Sequence, residues 1–156
     1  MYLGIDTKRI RRLKRIVRAT GAKIVLSSDW RHFYNIGSKE QKSDAGKYLY
    51  NKMRRAHLTI YDKTPNIKWE RRGLEIKFWL DQHPEVDRFI ILDDRYFDFT
   101  RYNLQNNFIR TIDYSDKDEW AGLTEHLTEI AIEMLNGKDV EGPVIDEGWL
   151  ENFYCK

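Results

Sequence analysis

Apolar and polar positions follow two different periods along this chain, and the switches between them mark its elements. Over residues 7–20, Ile10, Leu13, Ile16 and Val17 recur at helical spacing in an otherwise cationic stretch. Asp6 or Thr7 is placed to cap the start, and Gly21 stands just past the end. Residues 23–27 then form a short apolar run that reads as a buried strand. A second helix is predicted over 44–57 from Ala45, Tyr48, Leu49, Met53 and Ala56, with a brief strand after it over 58–61. Leu74, Ile76, Phe78, Trp79 and Leu80 predict a third helix over 73–83, closed by Pro84, which cannot continue it. Residues 88–92 and 108–112 read as further strands, and a last helix is predicted over 123–135. Residues 32–43 are polar and aperiodic. The stretch from Gly137 onward is acidic and irregular, yet Val144, Ile145, Trp149, Leu150, Phe153 and Tyr154 give it the means to pack down.

Strands alternating with helices of 10 to 15 residues predict right-handed crossovers and a mostly parallel sheet with helices on both faces, an α/β three-layer sandwich. At 156 residues the chain has the size of one domain, expected to span 1–136, with 137–156 as an acidic tail packed on it. Phe89-Ile90-Ile91-Leu92 is typical of its longest apolar runs, far short of the roughly 20 residues of a membrane span. The single cysteine, Cys155, forms no disulfide framework, and the N-terminus has no apolar signal-peptide core, so a reducing cytoplasmic setting is expected.

Charge sharpens the picture. Residues 1–72 hold 19 Lys and Arg against 6 Asp and Glu, a net +13, while residues 73–156 hold 8 against 19, a net −11. The densest cationic stretch is 8–18, with seven Lys or Arg in eleven residues. There Arg11, Arg12, Lys14 and Arg15 are the candidates for contact with a nucleic acid or nucleotide, against the simpler reading of a solvated helix face.

Ligands of parallel sheets sit beyond the carboxyl ends of the strands, which directs attention to the residues immediately after each apolar run. After the first come Ser27-Ser28-Asp29-Trp30-Arg31. The serine hydroxyls can donate to a phosphate oxygen and Arg31 offers a planar fork, while Trp30 is placed either to pack or to stack on substrate. After the later run comes Asp93-Asp94, with Asp98 four residues on, the hard oxygen ligands that Mg2+ prefers. Arg71-Arg72-Gly73 opens the helix leading into that strand, where the helix dipole also favours an anion. The four histidines show no zinc-ligand spacing.

This ordered set resembles the haloacid dehalogenase (HAD) superfamily of phosphotransferases, most closely its branch found in Swiss Army Knife RNA repair proteins, over about residues 4–136. The likeness rests on residues 20–31, on Thr64-Pro65 ahead of Arg71-Arg72-Gly73-Leu74-Glu75-Ile76 and Trp79-Leu80, on Ile90-Ile91-Leu92-Asp93-Asp94, and on Gly122-Leu123-Thr124. The resemblance implies a Rossmann-like fold and assigns Ser27, with Ser28 a near alternative, as the hydroxyl binding the phosphoryl group. It puts Arg72 in the place that stabilises charge on that group, and Asp93 and Asp94, with Asp98, as holders of Mg2+. Residues 32–63 correspond to the region where relatives elaborate a cap.

The chain departs from the family pattern at the Asp-x-Asp that ends the central first strand, whose first Asp is the nucleophile and second the general acid and base. Either residues 1–5 are a shortened central strand, with Gly4 in the nucleophile's place and Asp6 retained, or that strand is missing and Gly4-Ile5-Asp6 is the approach to the first helix. A missing strand would leave unpaired edges, to be completed by a second copy in a homodimer or by another partner chain. Two functions are expected on these grounds. One is a Mg2+-dependent phosphatase acting on nucleic-acid or nucleotide phosphate ends, impaired without its nucleophile. The other is a catalytically inactive module that binds nucleic acid, nucleotide or a protein partner through the phosphate pocket and basic helix.

Overall fold

The computed structural model describes residues 6–111 and 122–145. The expectations placed on residues 1–5 and on Trp149, Leu150, Phe153 and Tyr154 lie outside these described residues.

Helix α1 spans Thr7–Thr20. Its Asp6 cap accepts a hydrogen bond from the Lys8 amide at 2.6 Å, and Gly21 closes it at φ 70°, a conformation that favours glycine. Strand β1 (Ile24–Leu26) comes directly after, so the N-terminus of α1 and the carboxyl end of β1 lie at the same end of the fold. Helix α2 (Asp44–Arg55) starts at Ser43, whose side chain caps the Gly46 amide. It stops where His57 turns to φ 56° and the Leu58 amide folds back onto the Met53 carbonyl. That turn delays strand β2 to Ile60–Lys63, two residues later than the apolar pattern predicts.

Helix α3 (Arg72–Asp81) has no side-chain cap of its own at Arg71. Asp98 supplies one from another loop, accepting the Gly73 amide at 2.7 Å. Strand β3 is shorter than expected, Ile91–Asp93. Arg88 donates to the Met134 carbonyl and Asn107 to the Phe89 carbonyl. Strand β4 (Phe108–Arg110) and helix α4 (Glu125–Leu135, capped by Thr124) complete the described elements.

β1 pairs in parallel with β2, with an irregularity in register after Ile24, and β3 pairs in parallel with β4. The outer edge of β4 is covered by Val144, whose backbone bonds to Phe108 and Arg110. Where one sheet is expected, the two pairs are not hydrogen-bonded to each other.

Helices nonetheless hold the pairs in one layer. On one face α1 packs against both: Ile10, Leu13 and Val17 meet Ile24, Leu26 and Ile60 together with Leu49 and Met53 of α2. Leu13 and Ile16 also meet Ile109, Ile90 and Leu92 together with Leu127 and Ala131 of α4. On the other face α3 does the same, Ile76 packing with Ile91 and Phe108 while the Trp79 indole donates to Asp62 of β2 at 2.8 Å. The alternation of β3, Ile91 toward α3 and Leu92 toward α1 and α4, is the period of two required of a strand covered on both sides. The result is the α/β sandwich the pattern predicts, its described strands standing in two hydrogen-bonded pairs.

Candidate phosphoryl site at the divided sheet's carboxyl end

The carboxyl ends of β1 and β3 meet at one side chain. Arg72, in the first turn of α3, reaches Asp93 at the end of β3 (Nη1 to Oδ2, 2.6 Å) and Asp29 beyond β1 (Nη2 to Oδ1, 3.3 Å). The Phe97 ring lies under its guanidinium at 4.2 Å. Asp93 is buried and also accepts the Arg95 amide, whereas the Asp29 side chain is 73% exposed, the weaker of the two holds. Asp94 stands beside Asp93. Burial, and then the hydrogen bond and negative charge of Asp93, raise its carboxyl above the usual aspartate range. Two carboxyls so crowded call for a shared proton or a cation between them. Asp93 and Asp94 therefore suit the Mg2+ implied by the family, although no cluster of three acidic, His or Cys groups exists among the described residues.

Ser27 and Ser28 sit half-buried at the end of β1, and their hydroxyls have no hydrogen-bond partner among the described residues. Arg31 lies in the short 3-10 turn after them (Asp29–His32), buried to 6% exposure. Its two Nη groups are spent on Glu75 (2.7 Å) and on the Ser27 carbonyl. Lys63 then pins the turn by donating to the carbonyls of Arg31 and Tyr34. Three buried polar atoms at this end of the layer have no partner among the described residues: Nε of Arg31, Nε of Arg72 and the hydroxyl of Thr64, just after β2. Because buried polar groups are almost always satisfied, each of these atoms calls for a partner beyond the described hydrogen bonds.

The remaining predicted site residues are engaged in other contacts. Asp98 is held by Arg71 (2.7 Å) and by the α3 amide it caps. Asp6 caps α1 and pairs with Arg9, and no described hydrogen bond joins it to Arg72 or Asp93. Trp30 packs against the α1–α2 core with its ring near-parallel to Tyr48 at 6.1 Å. Of the basic helix, Arg12 and Arg15 are tied to Glu125, and Arg12 also to the Leu123 carbonyl. Lys8, Arg11, Lys14 and Arg18 have no ion-pair partner among the described residues.

Sequence reasoning missed Glu75. It is 1% exposed, and besides Arg31 it accepts the Ile67 and Lys68 amides, fixing the loop that delivers Arg72. The signal was there: a carboxylate between Leu74 and Ile76 in the apolar run of a helix needs a buried partner.

Parallel strands sandwiched by helices, with a Ser, an Arg and an Asp pair gathered at their carboxyl ends, define a HAD-like domain of phosphatase type. The family model for the HAD domain in Swiss Army Knife RNA repair proteins matches residues 4–126, most of the chain, and the chain belongs to that family. No curated protein and no solved structure gave a match. No described helix is long and apolar enough to cross a membrane.

Proposed function

We propose that this domain captures phosphate-monoester ends of nucleic acids or nucleotides with the help of Mg2+, and that its hydrolytic step is impaired. One observation carries the reading: unmatched buried donors of Arg31, Arg72 and Thr64 stand where the Ser27 and Ser28 hydroxyls and the Asp93-Asp94 pair also end. A phosphoryl group supplies the acceptors these groups lack, and Arg72 can turn to it by releasing the exposed Asp29. Bound by Asp93 and Asp94, Mg2+ would neutralise the crowded carboxylates and polarise phosphoryl oxygens.

Impairment is expected from the state of the carboxylates near Arg72. Asp93 is already paired with it, Asp94 is crowded by Asp93, and Asp29 is largely in solvent, so none is both free and sheltered as a nucleophile must be. The test is turnover of an aryl phosphate with Mg2+ and with chelator, beside thermal melts under the same conditions. Mg2+ should raise the melting temperature of the parent and leave that of Asp94→Asn nearly unmoved, with turnover near background. Rapid turnover in chelator, or an equal Mg2+ shift in the variant, would count against the reading.

The free cations of α1 are proposed to hold the body of a nucleic acid whose end enters the site. Replacing Arg11, Lys14 and Arg18 together with Gln should weaken binding of a single-stranded oligonucleotide and flatten its log–log salt dependence by about 2, at roughly 0.7 per phosphate released. Arg12→Gln should leave that slope alone, since Arg12 is committed to α4.

A further inference from the structure

Of the described tryptophans, Trp79 is buried with its indole donating to Asp62, and Trp30 packs on the α1–α2 core. Trp69 is different. It is 81% exposed, and its indole makes no hydrogen bond or ring contact among the described residues. A ring left so far in water forgoes the burial that usually fixes a tryptophan. The backbone beneath it is nevertheless pinned. The Arg71 amide closes a turn onto the Lys68 carbonyl at 3.2 Å, and the buried Glu75 carboxylate accepts the Ile67 and Lys68 amides. Glu70, third in that turn, sits at φ 57°, a left-handed conformation that a glutamate seldom adopts, and its carboxylate is tied to Arg95 at 3.0 Å.

This turn stands beside the phosphoryl site. Three peptide units separate Trp69 from Arg72, so their Cα atoms lie within about 11 Å of each other. Arg95, which holds Glu70, and Arg72 lie over the same Phe97 ring, 4.9 Å and 4.2 Å from its centroid. The turn is also cationic: Lys68 has no ion-pair partner among the described residues, and Arg71 and Arg72 follow it. An exposed aromatic face in a cationic stretch is the arrangement by which proteins hold unpaired bases with little regard to sequence. We propose that the Trp69 indole stacks on the base of the nucleotide whose phosphate end reaches Arg72. The ligand is then the base-bearing end of a single strand, and a plain sugar phosphate lacks half of what the site grips. Because the turn is already ordered, the stack forms without the cost of arranging a loop. The proposal rests on the phosphate-end reading and adds to it the chemical class that carries the phosphate.

The test is calorimetric titration of the full chain, in Mg2+, with single-stranded hexanucleotides. Their last residue carries either adenine or no base, and ends in either a 3′-phosphate or a 3′-hydroxyl. With the phosphate present, the parent should bind the adenine end about tenfold more tightly than the abasic end. Trp69→Ala should melt with the parent and bind the two alike, at the abasic level. Trp69→Phe keeps an aromatic face, so it should retain most of the preference while losing the indole-fluorescence quench that the adenine end causes in the parent. Equal affinity of the parent for the two ends would overturn the inference. So would a Trp69→Ala variant that weakens both alike, or a quench that survives in Trp69→Phe. The 3′-hydroxyl strands read the phosphate site separately. Preference for the phosphate without preference for the base overturns the stack alone, and preference for the base without preference for the phosphate overturns the phosphate-end reading alone.

Discussion

Glu75→Ala is expected to lower stability by about 3–5 kcal/mol, the usual loss when one member of a buried ion pair is removed. The reason is local. Arg31 is buried to 6% exposure with its Nε already unmatched, and Glu75 is its carboxylate partner at 2.7 Å. Removing Glu75 strands that guanidinium in the core and also releases the Ile67 and Lys68 amides. Glu75→Gln keeps hydrogen-bonding capacity and should cost less. Arg31→Met combined with Glu75→Leu should recover much of the loss, because apolar replacement of a whole buried pair is often neutral. Urea midpoints of the three variants check this order. An alanine variant as stable as the parent would mean that the pair does not hold the turn behind Ser27 and Ser28.

Arg72→Met carries the second large effect, this time on binding. Arg72 joins the two strand pairs through Asp93 and Asp29, and a hydrogen bond to a charged group contributes about 1.5–3 kcal/mol. The affinity for a phosphate-ended ligand should therefore fall by roughly 10- to 100-fold. Stability should fall as well, since Asp93 stays buried beside Asp94 without its cation. Arg72→Lys separates these effects. It restores charge beside Asp93 but not the planar fork, so it should recover more stability than affinity. Calorimetric titration alongside melting curves reads both quantities on each variant.

The sequence made the helices legible, and with them where the apolar runs end, for physical reasons that differ by element. Helix α1 was readable to the residue because Asp6 and Gly21 are local signals that act on their own backbone. The positions of Ser27, Arg72, Asp93 and Asp94 at strand ends and a helix start were readable, because the apolar runs before them mark those ends. Strand limits were less legible. β2 waits on the left-handed turn at His57, and ahead of β3 the Phe89 carbonyl accepts from the Asn107 side chain instead of a neighbouring strand. Long-range commitments were not legible at all: the ion pairs of Arg12 and Arg15 with Glu125 depend on where α4 packs, and the bonds of Asp98 to Arg71 and the Gly73 amide depend on where its loop returns.

The most direct measurement of the central claim is a calorimetric comparison, in Mg2+, of one oligonucleotide ended by a 3′-phosphate and the same oligonucleotide ended by a 3′-hydroxyl. The account predicts tighter binding of the phosphorylated end, with the difference abolished in Arg72→Met and diminished in chelator. Equal affinity for the two ends, unchanged by Arg72→Met, would contradict it and leave only the basic face of α1 as a binding surface.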